Sequence, residues 1–190
     1  MLRKFFSDAH EWCRGRVPYA RAVLLGYFVL LFFKYVRNPD YQSIFKPLNL
    51  GIHELGHTVL IPVAMMGSLG EFLEILGGSA AQTVAPLVGI AMFYRQRDFF
   101  GIAVALGWLA TNLFEVATYV ADARTMALVL VSPFGADAVH DWNYILGRLG
   151  LLEMDSALAV VIRALAFLSL GMGIVFGAWL LKNMFMLRRK

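Results

Sequence analysis

An all-α bundle crossing a membrane is the fold class this sequence predicts, and three observations predict it. Hydrophobic residues make up 59% of the 190, with a mean hydropathy of +0.66, well above the roughly 45–50% apolar content of soluble domains. The apolar residues fall in long uncharged runs. Two of these, Ile75 to Tyr94 and Ala164 to Leu181, meet the span of about 18 residues that a membrane-crossing helix needs. Basic residues gather at the ends of the runs, as in Lys34, Arg37, Arg95 and Arg97, where lipid headgroups would meet them.

Taken in order, Met1–Arg16 places Leu2, Phe5, Phe6, Ala9, Trp12 and Cys13 at helical spacing among charged residues, which predicts an amphipathic helix lying on the membrane over residues 1–17. The apolar run after it ends in Lys34–Tyr35–Val36–Arg37–Asn38 rather than in a small-residue cleavage site, so this segment is expected to be retained. Residues 18–186 then read as one transmembrane bundle of about five helices, making a single membrane domain of the whole chain. Ala22–Phe33 reaches a spanning length as Pro18–Val36 if Arg21 and Lys34 snorkel to opposite interfaces. Pro47–Met66 is the second span and Ile75–Tyr94 the third. Phe99–Phe114 is the fourth, provided its helix continues to Tyr119 with Glu115 facing inward, and Ala164–Leu181 is the fifth.

Turn chemistry marks breaks at Arg37–Asp40, Met66–Gly70, Gly77–Ser79, Arg95–Asp98 and Ser132–Asp137. On this reading Ser79 caps the third span, and Gly67–Ser79 is a re-entrant or extended segment able to hold a substrate as an added strand. Residues 122–155 form the longest non-spanning section.

The net charge of +4 is dispersed along an apolar chain and provides no basic face for a nucleic-acid groove, so the lipid bilayer is the expected partner and nucleic acid is not. The single cysteine, Cys13, excludes an internal disulfide and a multi-cysteine metal site, and reads as a small interfacial residue.

Chemistry concentrates in Gly51–Ile52–His53–Glu54–Leu55–Gly56–His57–Thr58, which contains the pattern H-E-x-x-H. Histidines four apart on a helix project to one side and can share one Zn²⁺, while Glu54 stands beside the first ligand as general base for an attacking water. Two histidines and a carboxylate within an apolar segment would be costly to bury without partners. The bland alternative is an interfacial loop with solvated histidines.

At this motif the chain resembles the site-2 protease family of intramembrane zinc metallopeptidases, particularly its small bacterial members. The matching residues are His53–Glu54–Leu55–Gly56–His57 at the head of a membrane helix, the small and glycine-rich stretch through Gly77–Gly78–Ser79, and a later aspartate segment. The resemblance implies a zinc-dependent metallopeptidase, with a membrane protein or peptide as substrate, in a bacterial cytoplasmic membrane. It also implies an aspartate as third ligand, commonly followed by glycine. The counterpart here is His140–Asp141–Trp142–Asn143–Tyr144–Ile145–Leu146, with tryptophan in the glycine position.

From the residues themselves the third ligand stays open among His140, Asp141, Asp122, Glu115 and Asp137. Histidine is scarce in this chain and frequent in zinc sites, which favours His140 with Asp141 orienting it. The rival source is a polar stripe of Asn112, Glu115, Tyr119 and Asp122, at intervals of three, four and three. Glu71 and Glu74 read as a solvated edge and His10 as a surface residue. Two other functional classes fit the same motif: a zinc-dependent hydrolase of a lipid or small amphiphile, and a non-enzymatic metal-binding membrane protein in which Glu54 is dispensable.

Overall fold

The computed structural model describes residues 2–129 and 139–188. Among the described residues the chain is helical throughout, in the order α1 (Leu2–Trp12), α2 (Tyr19–Arg37), α3 (Lys46–Ala64), α4 (Ser68–Arg95), α5 (Phe99–Ala121), α6 (Asp141–Leu149), a 3-10 turn (Leu152–Met154) and α7 (Asp155–Arg188), with no strand. Four helical stretches are long and apolar enough to cross a membrane: Tyr19–Arg37, Ser68–Arg95, Phe99–Ala121 and Leu152–Leu187. About five were expected, and these four are counted among the described residues by length and apolarity alone. The stretch that falls short is α3, whose 19 residues include Lys46, Asn49, His53, Glu54 and His57.

The chain divides into two compact units whose boundaries fall inside α4, α5 and α7. The first unit comprises Met1–Tyr41, Pro86–Ala110 and Phe167–Lys190. Its core joins Ala9, Cys13, Leu25, Phe99, Phe100, Ile102, Leu180, Leu181 and Met184, so α1 is anchored on the protein by its apolar side. Phe5 of α1 reaches the rings of Phe99 at 5.3 Å and Phe176 at 5.6 Å, within the range of favourable aromatic pairs. Cys13 is fully buried, its thiol donating to the Ala9 carbonyl at 3.2 Å. Burial pushes that thiol up to about 11, against the pull of Arg16 and Arg21, which makes it a poor nucleophile.

The second unit, Gln42–Ala85 with Thr111–Ala166, holds every residue of the candidate site described below. Its apolar core is Val116, Val120, Ala123, Leu146 and Ala159. Here the expectation for Gly67–Ser79 is overturned. The segment is neither extended nor re-entrant: α4 starts at Ser68 and runs unbroken through Gly77, Gly78 and Ser79, so Ser79 caps no helix and no strand edge exists there. Glycine costs a helix about 1 kcal/mol relative to alanine, and close approach between helices explains why it is present. A Cβ on Gly56 of α3 would lie 2.3 Å from the Gly77 carbonyl oxygen, so two small residues let the α3 and α4 backbones touch.

α6 is short and well specified at both ends. His140 caps its start by accepting the Asn143 N–H at Nδ1, and Gly150 ends it in the left-handed region at φ 68°. Trp142 donates its indole N–H to Ser79 Oγ at 3.0 Å, and the Arg148 guanidinium lies 5.7 Å from the Phe72 ring centre. Both contacts fasten α6 to α4. Trp142 thus has a structural job.

Candidate metal centre

The buried face of α3 is formed by Asn49, His53 and Gly56, at spacings of four and three that keep them on one side of the helix. His57 follows His53 by one turn, and the two imidazoles converge, Nε2 to Nε2, at 3.1 Å. Asp141, on the first turn of α6, closes the set. Its Oδ2 lies 3.0 Å from His53 Nε2 and 3.2 Å from His57 Nε2. Three electron-pair donors from two helices thus form a nearly equilateral triangle, and among the described residues these are the three ligand-type side chains grouped closely enough to hold one metal ion.

The far side of each imidazole explains which atoms point inward. His53 Nδ1–H donates to Gln82 Oε1 at 3.3 Å, and His57 Nδ1–H donates to the Glu74 carbonyl oxygen at 3.0 Å with the Glu74 carboxylate at 3.4 Å. Gln82 is oriented in turn, since its Nε2 donates to Glu115 Oε2 at 3.1 Å and so leaves Oε1 toward His53. Glu115 Oε1 accepts a further bond from Asn49 Nδ2 at 2.9 Å. With each Nδ1 proton committed to an acceptor, a neutral imidazole presents its Nε2 lone pair to the triangle. Donors at this spacing cannot face one another bare. Positive charge has to stand among them, as Nε2 protons or as a metal ion.

Asp141 is ready for either. Burial alone would raise its carboxyl, but the hydrogen bonds and charge of His53 and His57 outweigh that and hold it below the usual carboxylate range, so it is anionic. Its backbone N–H donates to the Tyr119 hydroxyl at 3.0 Å, which fixes the start of α6 against α5.

His140 does not join the triangle. Its Nδ1 accepts from Asn143 N–H, which puts the ring proton on Nε2, and Nε2 donates to Asp122 Oδ2 at 3.2 Å. Both nitrogens are therefore occupied within the fold. Asp122 is equally engaged. Burial would raise its carboxyl, yet bonds from the Thr125 hydroxyl, the Leu128 and Ala127 amides and His140 lower it, and they hold it away from the cluster. Glu115 stands behind Gln82, not in the triangle. Asp137 lies outside the described residues. Glu54, next to His53 on α3, is half-buried, and its charge reaches Tyr119.

Three contributors escaped the sequence reading: Glu74, taken for a solvated edge, together with Gln82 and Asn49. A signal existed. Glu74, Gly78 and Gln82 recur every four residues, one face of a helix, but the assumed break at Gly77–Ser79 hid the continuity.

Comparison with known proteins adds nothing to this geometry: no family model matches the chain, and no curated protein or solved structure does. The fold and the site together define an all-α protein with membrane-length apolar helices and a buried cluster of two histidines and one aspartate suited to a metal ion.

Proposed function

We propose that this chain is a zinc-dependent metallopeptidase of a membrane, by our reading the bacterial cytoplasmic membrane, with His53, His57 and Asp141 as the metal ligands and Glu54 as general base. The triangle of His53 Nε2, His57 Nε2 and Asp141 Oδ2 carries the proposal, with edges of 3.0, 3.1 and 3.2 Å and both Nδ1 protons directed away from it. Tetrahedral zinc with bonds of about 2.0–2.1 Å needs ligand atoms roughly 3.3 Å apart, and the donor set suits that ion. Three protein ligands also leave a fourth position open, as catalytic zinc requires. When bound, zinc would supply Lewis acidity and lower the pKa of water from about 15.7 toward about 7.

The chain's own groups do the rest. Glu54 accepts the proton of the attacking water and delivers it to the leaving nitrogen. The Glu74 carbonyl and Gln82 hold the imidazoles in the tautomer that directs Nε2 inward. Burial of His53 and Asp141 keeps competing water from the ligand side of the site. A peptide is preferred to a lipid ester as substrate on the resemblance at His53–His57.

The deciding experiment uses the full chain in detergent micelles, with zinc content measured by elemental analysis and hydrolysis of fluorescently labelled β-casein as the readout. About one zinc per chain is expected, and Glu54→Gln should retain it while hydrolysis falls about 10²–10⁴-fold, the share that general-base catalysis contributes. Undiminished turnover in that variant would remove Glu54 from the chemistry, whereas a wild type that binds zinc and hydrolyses nothing would favour the non-enzymatic metal protein.

Gln82 and Glu115 lead to a second expected result. Gln82→Leu should weaken zinc binding about 10–100-fold, the range for a partner that orients a ligand, because His53 loses the acceptor of its Nδ1 proton. Glu115→Gln should do less, since an amide can still accept from one neighbour. Competition against a chelator of known affinity measures both, and unchanged affinity in Gln82→Leu would mean that His53 is positioned by packing alone.

A further inference from the structure

We propose that the first unit carries a binding site for the phosphate headgroup of an anionic phospholipid, in the cleft between α1 and the turn joining α4 to α5. This is independent of the hydrolase reading. The cleft has a volume of about 410 Å³, with Lys4, Asp8, Arg95 and Arg97 as its polar lining and Phe5, Tyr94 and Phe99 as its walls.

Three features of the site point to this ligand. The first is charge: three cations face one carboxylate, Asp8, which lies 3.3 Å from the Arg97 guanidinium. Lys4 and Arg95 are left to a further anion, and Arg97 can share a phosphate through its fork of donors.

The second is level. α4 ends at Arg95 and α5 begins at Phe99, and both are long and apolar enough to span, so the cleft lies where a helix leaves the bilayer. A free phosphate has no use for aromatic walls. The glycerol and upper acyl carbons of a lipid do, and a half-exposed tyrosine such as Tyr94 is a common residue at that depth.

The third is the backbone of Arg97. α4 terminates with the Asp98 N–H on the Phe93 carbonyl at 2.9 Å and the Arg97 N–H on the Tyr94 carbonyl at 3.2 Å, the paired bonds of a Schellman turn. The residue between them must be left-handed, and Arg97 is, at φ 56°. Glycine is the usual occupant because side chains are disfavoured there. The same chain uses glycine in the matching turn of α6, at Gly150 with φ 68°. Arg97 stands where glycine would be less strained, and its side chain lines the cleft.

The site is tested by titrating palmitoyl-oleoyl phosphatidylglycerol into the full chain held in neutral detergent and reading bound lipid by native mass spectrometry, with phosphatidylcholine and inorganic phosphate as separate arms. Phosphatidylglycerol should bind in preference to phosphatidylcholine. Each cation removed should weaken it about fivefold, from roughly one basic residue's share of attraction to an anionic headgroup, so Lys4→Ala with Arg95→Ala should cost roughly 25-fold. Arg97→Gly is the sharper variant. Glycine relieves the left-handed turn, so this protein should melt at the same temperature or higher without lipid while losing about fivefold in phosphatidylglycerol affinity. Equal affinity in wild type and all three substitutions would overturn the site. So would inorganic phosphate binding as tightly as phosphatidylglycerol in the absence of lipid, since the ligand would then not be a lipid.

Discussion

Gly78→Ala is expected to empty the metal centre while leaving the helix that carries it intact. A Cβ at this position would lie 2.3 Å from His57 Nε2, 2.7 Å from His53 Nε2 and 2.8 Å from His53 Cε1, well inside van der Waals contact with the two ligand atoms. Neither imidazole can step back without loss. His57 is tied through Nδ1 to the Glu74 carbonyl one turn before Gly78, and His53 to Gln82 one turn after it. The methyl would thus push both rings off the triangle by removing the space that brings them together. Alanine is the better helix former by about 1 kcal/mol, so circular dichroism of the variant should match wild type while bound zinc falls from about one per chain to near zero and hydrolysis with it. Gly89→Ala supplies the control, because a Cβ there meets nothing nearer than 3.8 Å, an ordinary contact, and zinc should be retained in full. A Gly78→Ala protein that keeps its zinc would show that the triangle is not where the metal sits.

That one glycine also shows how far the sequence could be read. The motif at His53–His57 was legible because helical spacing alone brings residues four apart to one side, and the convergence of the two rings follows from local geometry. Phe99–Phe114 was legible as a span on the condition that it continue past Glu115, and α5 does run to Ala121. Gly77–Gly78 was misread for a physical reason. Propensity counts two glycines as a break, but their presence here is set by a neighbouring helix and by two imidazoles, neither of which a local window contains. Once the break was assumed, the face formed by Glu74, Gly78 and Gln82 disappeared with it.

The second expected span, Pro47–Met66, shows a related limit. α3 has a spanning length of 19 residues, but the polar groups that build the site interrupt its apolar surface, so it is not among the four helical stretches apolar enough to span. The third member of the cluster was illegible for another reason. His140 and Asp141 are adjacent in sequence, and only the helix boundary between them separates their roles. His140, just outside α6, caps it, whereas Asp141, the first residue inside, turns its carboxylate to α3.

Asp141→Ala should accordingly cost the protein its zinc, whereas His140→Ala should weaken zinc only indirectly. Removing the Asp141 carboxylate leaves two imidazoles facing one another with no anion between them. On the proposed reading it deletes the one ligand that would offset a metal's charge, so elemental analysis should find little zinc and β-casein hydrolysis should be lost. Asp141→Asn should behave alike, since it keeps the shape but not the charge. His140→Ala removes a helix cap, worth about 0.5–2 kcal/mol, and the ring that lies 4.4 Å from Tyr119, whose hydroxyl receives the Asp141 N–H. The start of α6 should loosen, and zinc affinity should drop about 10–100-fold, as for a residue that positions a ligand. Asp122→Ala acts through the same His140 and should fall in that range. If His140→Ala loses the metal outright while Asp141→Ala retains it, the ring nitrogens assigned here to the cap and to Asp122 are free to bind zinc, and the roles of the two neighbours are reversed.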